Sequence, residues 1–516
     1  MIVKPIQNLI PYKMMAVIDI GSNAIRMYVA EVREDGSFNI KDSLTQPVRL
    51  GMESFETGML GKESIRVACN VLSDFKKVMD TFQVSHVRTV ATSAVREAAN
   101  SETFINRVLM STGLEVEVIS DAEELRFNYM ATLNAMKSHP EFKKKNSMIV
   151  DLGAGGTEVT VLKKGNISTS KNYRLGTLRM IQGIKDYKSK KHTALILQTK
   201  VNNTVELVKR AIPPVKFEYF IARGADIRRI AYIRGWQGNG CSRDIAKENF
   251  IAACNEMLSY SVEKLVRKFG LTYEQAETLI PASLTFKHFA EAFSFSEVII
   301  PFTSMRHGLL LDGINRLYGI DIDYAFSRQV VNSAIELGKK YRMDVDHSLQ
   351  VAKLSVLLFD KLGKLHGMKI HERLLLEIAA ILHDVGSFIN ERKHHLHSFY
   401  LVSNSDFIGL GKSDIEIIAN LVLYHRESTP TLADINFAAL NRRDRITVYK
   451  LAAILRVADA LDRSHLQIID DFNVKVGDDE VVLTPLTSGV YEYEKIALKQ
   501  KGNLFDSVFG LEVVLQ

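Results

Sequence analysis

Two short runs, Asp19-Ile-Gly-Ser-Asn23 and Asp151-Leu-Gly-Ala-Gly-Gly-Thr157, each join a leading carboxylate to a string of small residues. Small residues let successive backbone N–H groups converge on an anion, while hydroxyl and amide side chains add donors. Such runs suit phosphate oxygens. Gly21, Ser22 and Asn23 would form one cradle, and Gly153, Ala154, Gly155, Gly156 and Thr157 the other. Asp19 and Asp151 would stand at strand ends, where a carboxylate holds Mg²⁺ directly or through water and offsets the gathered negative charge. One Asp-x-Gly alone is as readily a strand-ending turn; two in repeated topology point to a shared ligand.

Between the loops, residues 117–126 read Glu-Val-Ile-Ser-Asp-Ala-Glu-Glu-Leu-Arg, where a strand gives way to a helix. Ser120 and Glu123 have the spacing of a capping box, so Glu123 closes the helix N-terminus. Glu124 has no such task and is placed to orient a water and take its proton; the plainer alternative is a first-turn glutamate favoured by the helix dipole. Arg96, also just after a strand, could pair bidentately with a phosphate, or lie on the surface. Towards the C-terminus, His347, the pair His383-Asp384, and Asp459 follow the order H…HD…D and offer nitrogen and oxygen ligands to Mn²⁺, Fe²⁺ or Mg²⁺. The alternative is a set of core or interface histidines. Lys393, His394 and His395 form a basic cluster, read either as a guide for an anionic tail or as a solvated loop. Gly409 to Ser413 looks like part of a P-loop, but Asp406 stands where its first glycine is needed, so that motif is rejected.

The elements that must position these residues come in two textures. Residues 15–21 read as a buried strand ending at a glycine, 25–32 and 38–44 as two strands around the Asp35-Gly36 turn, 63–82 as an amphipathic helix, and 86–91 and 114–119 as further strands. The arrangement returns at 147–153 and 158–162 with the Gly165-Asn166 turn. A repeat of roughly 130 residues is too long for a solenoid and fits two similar α/β lobes with a cleft between them. From about residue 320 the apolar spacing turns helical, over 327–340, 348–362, 372–383, 413–424 and 449–461, and the last fifty or so residues look like short strands. The expected domains are 1–135 and 136–318 as lobes, 319–466 as a helical domain, and 467–516 as a small β-containing tail.

A chain of 516 residues is too long for one core, and 46% apolar with 24% charged residues excludes wholesale disorder. A net charge of +6 fits a polyanionic ligand without requiring a specific nucleic acid. Cys69, Cys241 and Cys254 are scattered and show no CxxC pairing, which argues against a disulfide framework and for a reducing compartment. The absence of a signal-like or membrane-length apolar run makes a cytoplasmic protein with no membrane partner the expectation.

The duplication resembles, at fold level, the actin, heat-shock chaperone and sugar kinase superfamily, whose lobes are ribonuclease H-like. More specifically, DIGSN at 19–23, ATSAVREA at 91–98, ISDAEELR at 119–126, DLGAGGTE at 151–158 and MRHGLLLDG at 305–313 resemble the exopolyphosphatase and guanosine pentaphosphate phosphohydrolase (Ppx/GppA) family over nearly the whole chain. The resemblance implies that Glu124 is the catalytic base, Arg96 a phosphate-binding arginine, and Asp151 and Glu158 carboxylates near Mg²⁺. It further implies release of terminal phosphate from polyphosphate or guanosine pentaphosphate, by a homodimer. The second loop departs from the usual GGGST, leaving Thr157 to serve with backbone N–H groups, and Arg223-Gly-Ala-Asp-Ile-Arg228 departs from Gly-x-x-Gly-Thr-x-Arg, placing Asp226 where it would repel a polyanion unless metal-bound or turned away. The helical domain resembles the HD phosphohydrolase type of the longer members, in which His397 and His425 fall where further ligands of a two-metal centre would lie. Two rivals follow: a non-catalytic guanosine polyphosphate sensor, and an enzyme whose main chemistry sits in the HD-type domain with regulatory lobes ahead of it.

Overall fold

The computed structural model describes residues 11–184, 190–212, 215–236, 241–319, 324–405, 407 and 409–516. It forms two compact units, residues 1–326 and 327–516. The first unit is built on two mixed sheets. Strands β1 (Tyr12–Ile20), β2 (Ala24–Arg33), β3 (Phe38–Pro47), β4 (His86–Ala91) and β5 (Val116–Val118) run in the order β3-β2-β1-β4-β5. In the second sheet β6 (Ser147–Leu152), β7 (Thr157–Lys163), β8 (Asn166–Tyr173), β9 (Tyr219–Arg223), β10 (Ser242–Ala246) and β11 (Glu297–Pro301) run in the order β10-β11-β9-β6-β7-β8. Each sheet opens with an antiparallel three-strand meander and adds its next strand in parallel to the first, β4 to β1 and β9 to β6. The duplication read from the two Asp-x-Gly loops is therefore a duplication of sheet topology.

Parallel central strands are covered on both faces, which is why β1 and β6 read as nearly unbroken apolar runs. One face of the first sheet packs Ile18, Ile25, Met27 and Val29 against the amphipathic helix Lys62–Thr81 through Ile65, Leu72 and Phe75. The other face packs Val17, Ala30 and Val90 against the helices Asp121–Ala135 and Met305–Tyr318. The segment 305–318, expected to close the second lobe, thus returns to the first, because Leu309, Leu310 and Ile314 bury themselves there with Phe127 and Met130. Gly308 makes the return possible. A β-carbon at that position would stand 2.0 Å from the Phe127 carbonyl oxygen, which accounts for the glycine in the MRHG motif.

The second unit is mostly helical, with helices Tyr324–Lys340, Val345–Lys361, Ile370–Leu382, His394–Ser403, Lys412–Tyr424 and Arg442–Ala460. Its tail forms a sheet of β12 (Phe472–Val476), β13 (Glu480–Pro485) and β14 (Glu512–Leu515). The tail also carries two helices that strand-like patterning had not suggested, Glu492–Lys501 and Asn503–Phe509. Among the described residues no helix is long and apolar enough to cross a membrane. Asp406, the residue on which the P-loop was rejected, lies outside the described residues. Ser413, at the end of that segment, donates to the Asp444 carboxylate at 2.6 Å.

Candidate active site between the lobes

Asp19 and Asp151 occupy matching positions near the ends of the central strands β1 and β6. The loop after β1 is closed by the Gly21 N–H donating to the Ala24 carbonyl at 3.1 Å, and the loop after β6 by the Gly153 N–H donating to the Gly156 carbonyl at 2.9 Å. Ser22 is buried and shares a 2.9 Å hydrogen bond with the Ser93 hydroxyl, so the first loop is tied to the segment leading to Arg96. Asn23 accepts the Val48 and Arg49 N–H groups through its main-chain carbonyl, while its buried side-chain oxygen has no partner within the protein. Thr157 corrects an expectation. It is fully buried, and its hydroxyl donates to the Leu175 carbonyl, so the second loop can meet an anion only with main-chain donors.

The helix Asp121–Ala135 presents Glu124. Ser120 accepts the Glu123 N–H at 3.2 Å and the Glu123 carboxylate accepts the Ser120 N–H at 2.9 Å, which makes the capping box a property of the structure. With Glu123 so occupied, Glu124 turns to Arg96, whose Nη1 lies 3.5 Å from the Glu124 Oε2. Arg96 also donates to the Ile119 carbonyl at 2.6 Å and to the Asp121 carboxylate. The Glu124 carboxyl is pushed up to about 7, chiefly by its removal from bulk water; Arg96 opposes the shift, and Asp121, Asp19 and Asp151 add to it. Glu158 is pushed up to about 8 by burial first, then by Asp151 and Glu124, and its Oε1 accepts the Thr160 hydroxyl at 3.1 Å. Asp19 is also raised by burial, against the pull of Arg26 and Arg306. Glu124 thus feels carboxylates from both lobes.

Cations from several elements answer them. Arg26 Nη1 stands 3.6 Å from the Asp19 Oδ2, and Arg223 Nε stands 3.1 Å from the Asp151 Oδ2. Arg223 is almost fully buried and also donates to the Asn128 carbonyl, the Asn128 side chain and the Thr132 hydroxyl, so it ties Asp151 to the helix that carries Glu124. Arg228 donates to the Thr303 carbonyl at 2.9 Å and is pushed down to about 10 by burial and then by Arg223. It remains charged at neutral pH. Arg306 lies 3.7 Å over the Tyr28 ring and donates to the Met27 carbonyl at 3.1 Å. Asp226 is turned away, accepting from Arg229 at 2.6 Å and from the Thr278 hydroxyl at 2.8 Å. The departure at 223–228 thus leaves no unpaired acid facing the cleft.

The lobes also clasp each other beside the loops. Arg179 forks onto Glu97 at 2.5 and 2.6 Å and lies 3.7 Å over the Phe55 ring. A β-carbon on Gly155 would stand 2.5 Å from the Ser93 Oγ, which shows how closely the second loop approaches the first lobe. Arg26, Arg179, Arg306 and Ser93 were missed from sequence. Ser93 and Arg306 lie inside quoted motifs, but Arg26 and Arg179 carry no local signal.

The donor set that the lobes assemble, Asp19, Asp151, Glu158 and Glu124, is entirely carboxylate. Carboxylate oxygens are the ligands that a hard divalent cation takes, and Asp151 and Glu124 both add to the rise of Glu158, so these residues could hold one, although among the described residues no three of them bring ligand atoms within 4.8 Å of one another.

Matched strand-end aspartates, main-chain anion loops and a near-neutral carboxyl between two lobes define a phosphate-handling hydrolase of the actin-like class. The Ppx/GppA phosphatase family matches residues 28–317, and that family's domain III matches residues 330–491. The chain belongs to the Ppx/GppA phosphatase family, hydrolases of anhydride bonds that generally use a divalent metal. A guanosine-5'-triphosphate,3'-diphosphate pyrophosphatase of Vibrio atlanticus is 24% identical over 93% of this chain and 95% of its own. The crystal structure of the Aquifex aeolicus Ppx/GppA family member is 23% identical, with a TM-score of 0.50 over 60% of this chain and 99% of that one. The Cytophaga hutchinsonii exopolyphosphatase structure is 20% identical, with a TM-score of 0.53 over 58% and 98%. These two structures speak to the fold of the lobes.

Proposed function

We propose that the chain removes terminal orthophosphate from a phosphoanhydride in the cleft between its lobes, with guanosine pentaphosphate and inorganic polyphosphate as the candidate substrates. The names of the Vibrio atlanticus and Cytophaga hutchinsonii relatives supply these two candidates. The observation that carries the reading is Glu124, a carboxyl near neutrality, held by its helix beside Arg96 and within the field of both loop aspartates.

Glu124 accepts the proton of the attacking water, and a carboxyl with an affinity matched to neutral pH is well suited to that exchange. Arg96 places positive charge where the transferred phosphoryl group gathers negative charge. The N–H groups of Ser22 and Asn23 on one side, and of Ala154, Gly155 and Gly156 on the other, hold the phosphates that precede the one released, while the Gly21 and Gly153 N–H groups close their own loops. Asp151 and Glu158, with Asp19 opposite, would hold Mg²⁺, which when bound neutralises the clustered phosphate and carboxylate charge. Arg223 fixes Asp151 against the Asn128–Thr132 turn of the Glu124 helix, so base and metal-holding acid keep one spacing.

A pure sensor would be favoured by an acid facing the polyanion at 223–228, and Asp226 is paired elsewhere. The test is phosphate release from both substrates, by the parent and by Glu124→Gln, with and without Mg²⁺. Equal rates for the two proteins would defeat the assignment of Glu124, and tight binding without turnover by the parent would select the sensor.

A further inference from the structure

The helical unit gathers chemistry-bearing side chains that the cleft does not use. His347, His383, Asp384, His394, His425 and Asp459 come from or directly follow five different helices. All four histidines have Nδ1 committed. That of His383 donates to the Ala380 carbonyl at 2.7 Å, that of His425 to the Val422 carbonyl at 2.7 Å, and that of His394 to the Glu391 carbonyl at 3.0 Å. The His347 Nδ1 donates to the Asp462 carboxylate at 2.8 Å. A carbonyl or carboxylate oxygen accepts, so each Nδ1 carries a proton, and each ring, in its neutral form, presents a lone pair at Nε2.

Those Nε2 atoms converge on one another and on the carboxylates of Asp384 and Asp459. His383 is fully buried and its Nε2 has no hydrogen-bond partner. The Nε2 atoms of His394 and His425 lie 3.2 Å apart, and both face the Asp384 carboxylate. The donor atoms of His347, His383 and Asp459 lie within 4.8 Å of one another, and so do those of Asp384, His394 and His425. Asp384 joins the two groups: its Oδ1 is 3.0 Å from His394 and 3.3 Å from His425, and its Oδ2 is 3.5 Å from His383. His394, one turn before the expected His397, is the histidine grouped with Asp384 and His425. Lys393 takes a left-handed backbone, the helix starts at His394, and His394 faces the interior while His397 is only half-buried and belongs to neither group.

We propose that the helical unit is a second hydrolytic centre, holding two divalent cations bridged by Asp384 and cleaving a phosphate monoester gripped by Arg392, Arg426 and Arg463. Four imidazoles and two carboxylates, with Nδ1 atoms held by carbonyl and carboxylate oxygens, suit Mn²⁺ or Fe²⁺ and fix the ring orientations that such ions need. The three arginines, Glu391 and Lys501 line a cavity of about 410 Å³ together with His347, Asp384, His394, His425 and Asp459, which is room for a small ester. With two cations bound, the cavity carries a large positive excess over Asp384, Asp459 and Glu391. That excess favours the dianionic end of a monoester over the single charge of a diester.

Lys501 gives the site its metal-free state. Its ammonium pairs with the Asp459 carboxylate, and the Arg456 Nε holds the Lys501 main-chain carbonyl at 3.0 Å. The lysine is an internal counter-ion that must swing from Asp459 into the cavity when a cation arrives. In the reaction the water oxygen bonds to phosphorus and the ester P–O bond breaks. One water proton passes to the departing alkoxide and the other stays on the released phosphate, so neither oxidant nor reductant is required.

The test uses the full chain carrying Glu124→Gln, so that cleft turnover is suppressed. The protein is stripped with chelator, reloaded with Mn²⁺ and assayed with p-nitrophenyl phosphate. Each checked for an unchanged melting transition, Asp384→Asn should hold two fewer Mn²⁺ per chain and His383→Gln one fewer, and both should lose Mn²⁺-dependent release of p-nitrophenol. Lys501→Met should bind Mn²⁺ roughly tenfold more tightly, since a neighbouring charge of the same sign has been removed. Equal Mn²⁺ content in parent and variants overturns the metal centre. Mn²⁺-loaded protein that releases no p-nitrophenol overturns the hydrolytic role, and unchanged affinity in Lys501→Met overturns the counter-ion.

Discussion

In the first lobe the sheet register sets Arg26 on β2 and Val90 on β4 beside Asp19; in the second it sets Glu158 on β7 and Arg223 on β9 beside Asp151. The strands correspond, but the charge does not. Asp19 meets a cation within its own sheet, with Arg306 adding to it. Asp151 shares its end of the sheet with a second acid, and the one arginine beside it spends its other donors on the helix at Asn128 and Thr132. A duplicated fold has thus become a cleft with unlike halves. The second lobe has the surplus acid, and the first has the cations that offset its own.

The largest effect should come from the residue between the halves. Glu124→Gln keeps the shape and removes the proton acceptor, so kcat for phosphate release should fall by about 10²–10⁴ while KM changes little. Stopped-time phosphate assays at saturating Mg²⁺ measure this; a fall of less than tenfold would take the base away from Glu124. Next come the aspartates, which test the inequality directly. Asp151→Asn should raise the Mg²⁺ concentration for half-maximal rate by roughly 10–100-fold, and Asp19→Asn by less than about fivefold, because Asp151 has a second acid, Glu158, beside it in the sheet and Asp19 has none. Equal shifts would mean that the lobes share the cation evenly.

The parts of this cleft legible from sequence are those with short-range causes. The capping box at Ser120 and Glu123 is a contact three residues long, and freeing Glu124 by elimination followed from it. The two loops were visible because each has its carboxylate and small residues in one run. By contrast, Arg223 reaches Asn128 and Thr132 across more than ninety positions, and Arg179 reaches Glu97 across about eighty, so no local pattern announces either pair. Thr157 was misjudged for a related reason: its place in the loop was clear, but whether its hydroxyl faced the cleft or Leu175 depended on the packing of a later turn. The same limit explains His394 and His397, since the starting residue of a helix decides which of two histidines faces inward.

A smaller and more general effect is the pH dependence of stability. Glu124 and Glu158 are raised from an ordinary 4.5 to about 7 and about 8. Between pH 4.5 and 8 these two groups keep protons in the folded cation-free protein that the unfolded chain has released, and their contribution to stability falls as pH rises. In EDTA the melting temperature should drop, on the order of a few °C, between pH 6.5 and pH 8, above the range in which the buried His307 and His383, both pushed down to about 4, act in the opposite sense, and Glu158→Gln should flatten that fall. Mg²⁺ should restore it. A melting temperature that rises over this range in EDTA would show that the acids of the second lobe are already neutralised by protein cations, and the contrast between the halves would go with it.

The smallest effect separates cradle from scaffold within the second loop. Thr157→Val preserves shape and deletes only the hydroxyl that donates to the Leu175 carbonyl. The cost to stability should be about 1 kcal/mol, the usual scale for one internal hydrogen bond whose acceptor is left behind. Because that hydroxyl points away from the anion, KM for either substrate should stay within about twofold of the parent. Ser22→Ala in the first loop removes a hydroxyl that shares its bond with Ser93, next to the point where Gly155 closes on the first lobe, and its KM should rise by several-fold. If Thr157→Val raised KM as much as Ser22→Ala, the second loop would be gripping phosphate with its side chain after all, and the two halves would be more alike than their charges suggest.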